Sequence, residues 1–158
     1  MSEHAFTRGR GGGYVLRLGT EERALVSRLL DELSSLLIDP TNPAMTARLF
    51  PVVHPDRPEQ EAEYQRLMRD ELVTSRLAGI TMVKDVLGGG GTKVTFTEDQ
   101  LGVFMQALNS VRLVLGTMLD VTEDDDTFPD DAPLVPEYQL YAYLSWLLDS
   151  AVHVLTGA

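Results

Sequence analysis

Apolar positions along this chain follow two periods. After Thr20, Leu25, Val26, Leu29, Leu30, Leu33, Leu36 and Leu37 recur every three to four positions, which predicts an amphipathic helix. Thr20 stands where an N-cap is expected, and Glu21 and Glu22 suit the positive helix start. Pro40 and Pro43 close the helix. A second helical stretch is predicted over residues 59–87. Tyr64, Leu67, Met68, Leu72, Leu77, Ile80, Val83 and Leu87 trace its apolar side, with a break near Ser75 or Gly79. The last helix is predicted over residues 137–156, with Leu140, Leu144, Leu147, Leu148, Ala151, Val152 and Leu155 inward and Gly157 as its stop. Trp146 falls outside that arc, near Ala142, Asp149 and His153.

The period shortens to two at "YVLRL" and "KVTFT", which read as short strands. Each is followed by Thr-Glu and a helix, and the two strands are expected to pair. Thr97 and Gln100 fit a capping box at the start of a helix over residues 98–119. Leu101, Phe104, Leu108, Val111, Leu115, Met118 and Leu119 share one wide arc of that helix. Arg112 sits inside the arc. An unpaired buried charge is costly, so Arg112 is expected in a buried ion pair with a carboxylate. Gly102, Asn109 and Gly116 recur seven apart on another face, either as tolerated surface positions or as a seam for a close helix.

Between these elements, "AMTARLF" suggests one or two helical turns and "PVVHPDRP" an extended connector. Residues 88–91, four glycines, read as a hinge. Residues 1–13 are Gly-rich and read as a flexible N-terminal tail, leaving residues 14–158 as one helical domain. The expected class is mainly α: a single-domain bundle of four or five main helices with a minor two-stranded β-sheet.

Composition narrows what such a bundle does. These 158 residues contain no cysteine, which removes disulfides, thiolate chemistry and Cys-ligated zinc. The formal charge is -11, and no Lys or Arg follows Arg112. That balance disfavours direct nucleic-acid binding, where affinity comes from cations meeting phosphates. No apolar run reaches the ~18–20 residues that span a bilayer, and the basic N-terminus lacks the apolar segment of a signal peptide. A cytoplasmic protein without membrane association is expected.

The densest charge is "TEDDDTFPDD", which places Glu123, Asp124, Asp125, Asp126, Asp130 and Asp131 together. As a calcium loop it fails. Counting from Asp124 puts Phe128 and Pro129 at the fifth and sixth places and Val135 at the twelfth; counting from Asp120 puts Asp125 where Gly is required. His4, His54 and His153 lack metal-binding spacing, so no metal is expected. No G-x-S-x-G occurs, and "GGGGTKV" departs from the phosphate-loop pattern, so neither catalysis nor a bound cofactor is expected. The acidic stretch reads as a solvated loop or, more sharply, together with Trp146 as a candidate protein-contact surface. A large aromatic on a polar helix face marks binding surfaces when its own chain does not cover it. The apolar arcs of the last two helices also leave room for a homodimer.

"YVLRLGTEERALVSRLLDEL", "ARLFPVVHPD", "LNSVRLVLGTMLDVTEDDD" and "YLSWLLDSAVHVL", in this order, resemble an actinobacterial family catalogued as a domain of unknown function. Its best-studied branch is the oxidative-stress transcriptional regulator AosR. The resemblance implies a cytoplasmic, non-enzymatic, transcription-associated regulator acting through protein contacts with a sigma factor or RNA polymerase in a stress response. Genes of the family often neighbour a ClpS-like adaptor, which implies an alternative role in Clp-regulated proteolysis. A small-molecule sensor is a third reading. The redox-sensing branch is thought to use cysteines; this chain has none, so a disulfide switch does not carry over.

Overall fold

The computed structural model describes residues 5–38, 46–50, 56–89, 91–119 and 136–157. Four helices are present among them: α1 (Thr20–Ile38), α2 (Pro58–Leu87), α3 (Glu98–Met118) and α4 (Pro136–Thr156). Three strands join them: β1 (Phe6–Arg8), β2 (Tyr14–Arg17) and β3 (Lys93–Phe96). The mainly helical class is as expected. The sheet has three antiparallel strands in the order β1-β2-β3 rather than two.

The added strand comes from the stretch read as a flexible tail. Phe6 pairs with Leu16 and Arg8 with Tyr14. Gly12 takes a φ of 91° in the intervening turn, a conformation that costs glycine nothing. Gly13 matters for space instead: a Cβ there would lie 2.7 Å from Thr95 Cγ2. The β2–β3 pairing is the one expected from the sequence, with Leu16 opposite Val94 and Tyr14 opposite Phe96.

One face of the sheet is apolar and covered. Phe6, Tyr14, Leu16, Val94 and Phe96 are all buried. Phe6 and Phe96 meet Phe104 of α3, at ring distances of 6.0 and 4.9 Å. Buried aromatic pairs of this kind contribute about 0.5–1.5 kcal/mol beyond their burial. Leu101, Leu108, Leu144, Leu147 and Ala151 continue this core between α3 and α4.

Helix starts and stops follow local chemistry. Thr97 Oγ1 accepts from the Gln100 N–H (3.1 Å) and Gln100 Oε1 from the Thr97 N–H (2.9 Å), completing the predicted capping box. Gly157, at φ 71°, ends α4. Thr20 is already helical, and the Arg23 N–H bonds back to the Gly19 carbonyl, so the helix begins one residue earlier than a Thr20 cap would allow. Helix α2 is continuous through Ser75 and Gly79. The predicted break is absent because Gly79 faces α3 closely: a Cβ there would sit 2.9 Å from Val103 Cγ1. "AMTARLF" contributes a single 3-10 turn, Ala47–Leu49. Pro40, Pro43, His4 and His54 lie outside the described residues.

By length and mean hydropathy, α3 would be long and apolar enough to cross a membrane. Here it is the core helix, packed against α1, α2 and α4.

Candidate functional site

Glu123, Asp124, Asp125, Asp126, Asp130 and Asp131 lie outside the described residues. The other two predicted site residues, Trp146 and Arg112, are within them.

Trp146 is half-buried on α4 and packs against the core rather than standing free on the polar face. Its ring lies 5.9 Å from that of Tyr143, one turn away. The Tyr143 hydroxyl donates to Glu22 Oε2 (3.0 Å), tying α4 to the start of α1. Burial, then the Glu22 hydrogen bond and its negative charge, push the Tyr143 phenol well above its ordinary range.

Arg112 was expected to pair with a carboxylate if buried, and it is half-buried. Among the described residues no carboxylate pairs with it. One Nη donates to Asn109 Oδ1 (3.0 Å) and the other to Ser145 Oγ (3.5 Å), while the guanidinium sits 5.9 Å from the Tyr141 ring centre. Its Nε is buried without a partner. Arg112 is only half-buried, so neutral acceptors and residual solvent suffice where full burial would have demanded a carboxylate. Asn109 of the small-residue series is thereby a ligand of this arginine. Gly102 of the same series faces open space.

Arg76 of α2 repeats the arrangement. Its Nη1 donates to Ser110 Oγ (3.1 Å), its Nε is buried without a partner, and burial lowers its pKa. Among the described residues only Arg66–Glu63 (2.6 Å) and Lys84–Asp31 form ion pairs. All thirteen Lys and Arg of the chain are described, and eleven of them have no carboxylate partner among the described residues.

Two surfaces stand out that the sequence reading did not single out. One is an apolar groove between α1 and α3, lined by Leu29, Leu33, Leu36, Val114, Leu115 and Met118, with Glu32 at its rim and a volume of about 80 Å³. Met118 is 53% exposed, and Ile38, at the end of α1, is 69% exposed. Neither helix has a basic residue in its last turn, so their negative ends are uncompensated. The second is the uncovered face of the sheet. Thr7, Arg17, Lys93 and Thr95 are exposed there, and the turn beside it carries Arg10. Alternation of Arg17 and Lys93 with buried neighbours is the sequence signal that would have located this face.

No group of three His, Asp or Glu side chains that could hold a metal occurs among the described residues. What the arrangement offers is surface: an apolar groove with acidic ends, and a basic sheet face.

The sequence profile of DUF2017, a domain of unknown function, matches residues 3–155. The chain belongs to the DUF2017 family. Within curated proteins, this DUF2017 chain is similar to the oxidative stress regulator AosR of Mycobacterium bovis and of two Mycobacterium tuberculosis strains. Identity is 26% over 98 residues, covering 61% of this chain and 45% of each relative. The chain therefore spans less than half the length of the curated relatives it matches. No solved structure matches.

Proposed function

We propose that this DUF2017 protein is a non-catalytic, transcription-associated regulator of a stress response that works through protein contacts. The observation that carries the reading is its similarity to the mycobacterial oxidative stress regulators over 61% of its length. The α1–α3 groove supports it. An apolar depression with exposed Ile38 and Met118 and uncompensated helix ends suits an apolar anchor from a partner whose flanks are basic. A sigma factor or RNA polymerase is the partner proposed. With no cysteine in these residues, the regulator transmits or tunes a response rather than registering oxidant through a disulfide.

The test is an affinity capture of the purified protein from its own cell extract, at low and moderate salt, read by mass spectrometry. The Ile38→Ser/Met118→Ser variant runs in parallel. Recovery of polymerase or a sigma factor, reduced by the variant, is the expected result. Recovery of Clp protease components without polymerase would replace this reading with the proteolytic-adaptor one.

A further inference from the structure

Among the described residues, no backbone neighbour occupies the β3 edge. The register pairs Leu16 with Val94 and Tyr14 with Phe96, and the Leu18 N–H bonds the Thr92 carbonyl (3.1 Å). In an antiparallel ladder, bonded pairs alternate with unbonded ones. Residues 92, 94 and 96 therefore point their polar groups at β2. Lys93 and Thr95 point theirs outward, and no described residue bonds to them. Two N–H and two C=O groups thus stand in a row on an exposed strand, a ready template for another chain.

Charge selects what fits. Lys93 and Thr95 share the uncovered face with Arg17, which lies opposite Lys93. The three strands and the β1–β2 turn carry Arg8, Arg10, Arg17 and Lys93 and no carboxylate. Lysine on a short edge strand discourages pairing with a like-charged copy of the same edge. An acidic strand meets no such barrier. Aromatic side chains that would stack bases are missing from this face: its described residues are Thr7, Val15, Arg17, Lys93 and Thr95.

We propose that β3 is a docking edge for an extended acidic segment of a partner protein, which adds as a fourth strand. Carboxylates on alternate positions lie beside Lys93 and Thr95, within reach of Arg17 one strand further across the same face, and the intervening apolar side chains extend the covered face beside Val94 and Phe96. Main-chain bonds supply affinity and the alternating side chains supply selectivity.

The probe is a short fluorescein-labelled peptide of alternating glutamate and valine, followed by anisotropy on the full chain. Its twin carries N-methyl groups on the residues that face β3, which keeps the charge and removes the strand bonds. The unmethylated peptide is expected to bind, at least about tenfold tighter than its twin, the equivalent of losing one or two net hydrogen bonds. Arg17→Glu/Lys93→Glu is expected to weaken it by a similar factor, with the circular dichroism spectrum unchanged. Thr95→Pro removes an outward N–H while leaving the β2 ladder intact, and should also abolish the difference between the peptides. Equal binding of the two peptides, equal competition by duplex DNA, or no binding by either peptide would each overturn the proposal.

Discussion

Ser150 Oγ, on the inner face of α4, accepts the backbone N–H groups of Ala5 (2.9 Å) and Phe6 (3.3 Å), 145 and 144 positions earlier in the chain. The hydroxyl is buried, and it satisfies the outer edge of β1, where no further strand lies among the described residues. Removing it leaves two buried donors without acceptors, at about 1–3 kcal/mol. Ser150→Ala is therefore expected to lose stability in that range in urea titration. Amide exchange should rise first at Phe6 and its β2 neighbours. A loss confined to a few tenths of a kcal/mol would mean that water replaces the hydroxyl.

Gly79 and Val103 share one site between α2 and α3. An alanine at position 79 gains roughly 1 kcal/mol of helix propensity but brings its Cβ to 2.9 Å from Val103 Cγ1. Gly79→Ala alone is expected to be neutral or destabilising. In a Val103→Ala background the same change should stabilise. A double-mutant cycle reads the coupling, and additive effects would show that the helices simply move apart.

Tyr143 sets an alkaline limit. Its folded pKa is raised, so the folded state holds the phenolic proton more tightly than the unfolded chain. The stability this contributes is fully present below the unfolded value near ~10 and is lost as pH rises through it toward the folded value. Stability of the native protein should fall above that pH, and Tyr143→Phe should flatten the fall. Unfolding free energies from neutral to strongly alkaline pH, measured for both proteins, check the slope.

Arg112, with neutral partners only among the described residues, is not held as a buried ion pair would be. Arg112→Met should change stability by no more than about 1 kcal/mol, since the thioether fills the same half-buried space. Loss of the ~3–5 kcal/mol that follows breaking a buried pair would reveal a carboxylate partner.

How far the sequence could be read follows from the range of each interaction. The four helices were legible because their apolar positions repeat at 3.6 residues and their ends carry local signals, such as Thr97 with Gln100 and Gly157. The β2–β3 pair was legible because both strands alternate. Strand β1 was not. Three residues beside a glycine run hold no periodic signal, and what orders them is the register with β2 and the Ser150 hydroxyl at the far end of the sequence. Helix α2 was expected to break at Ser75 or Gly79, because a glycine weakens a helix in isolation; contact with Val103 reverses the inference. Among the candidate site residues, Arg112 was correctly placed on the apolar arc, but its neutral ligands come partly from α4 and cannot be read from spacing. The groove between α1 and α3 required the crossing of two helices to exist at all.

Helix α2 is thirty residues long, yet its fully buried side chains, Ile80, Val83 and Leu87, all lie in its last third. The first half carries half-buried or exposed side chains, with Leu67 at 64% exposure, and Arg69 lies over the Phe50 ring. One continuous helix thus has two depths of anchorage. Its C-terminal turns are expected to open only when the whole domain unfolds, and its N-terminal turns to exchange their amide protons earlier, through local opening.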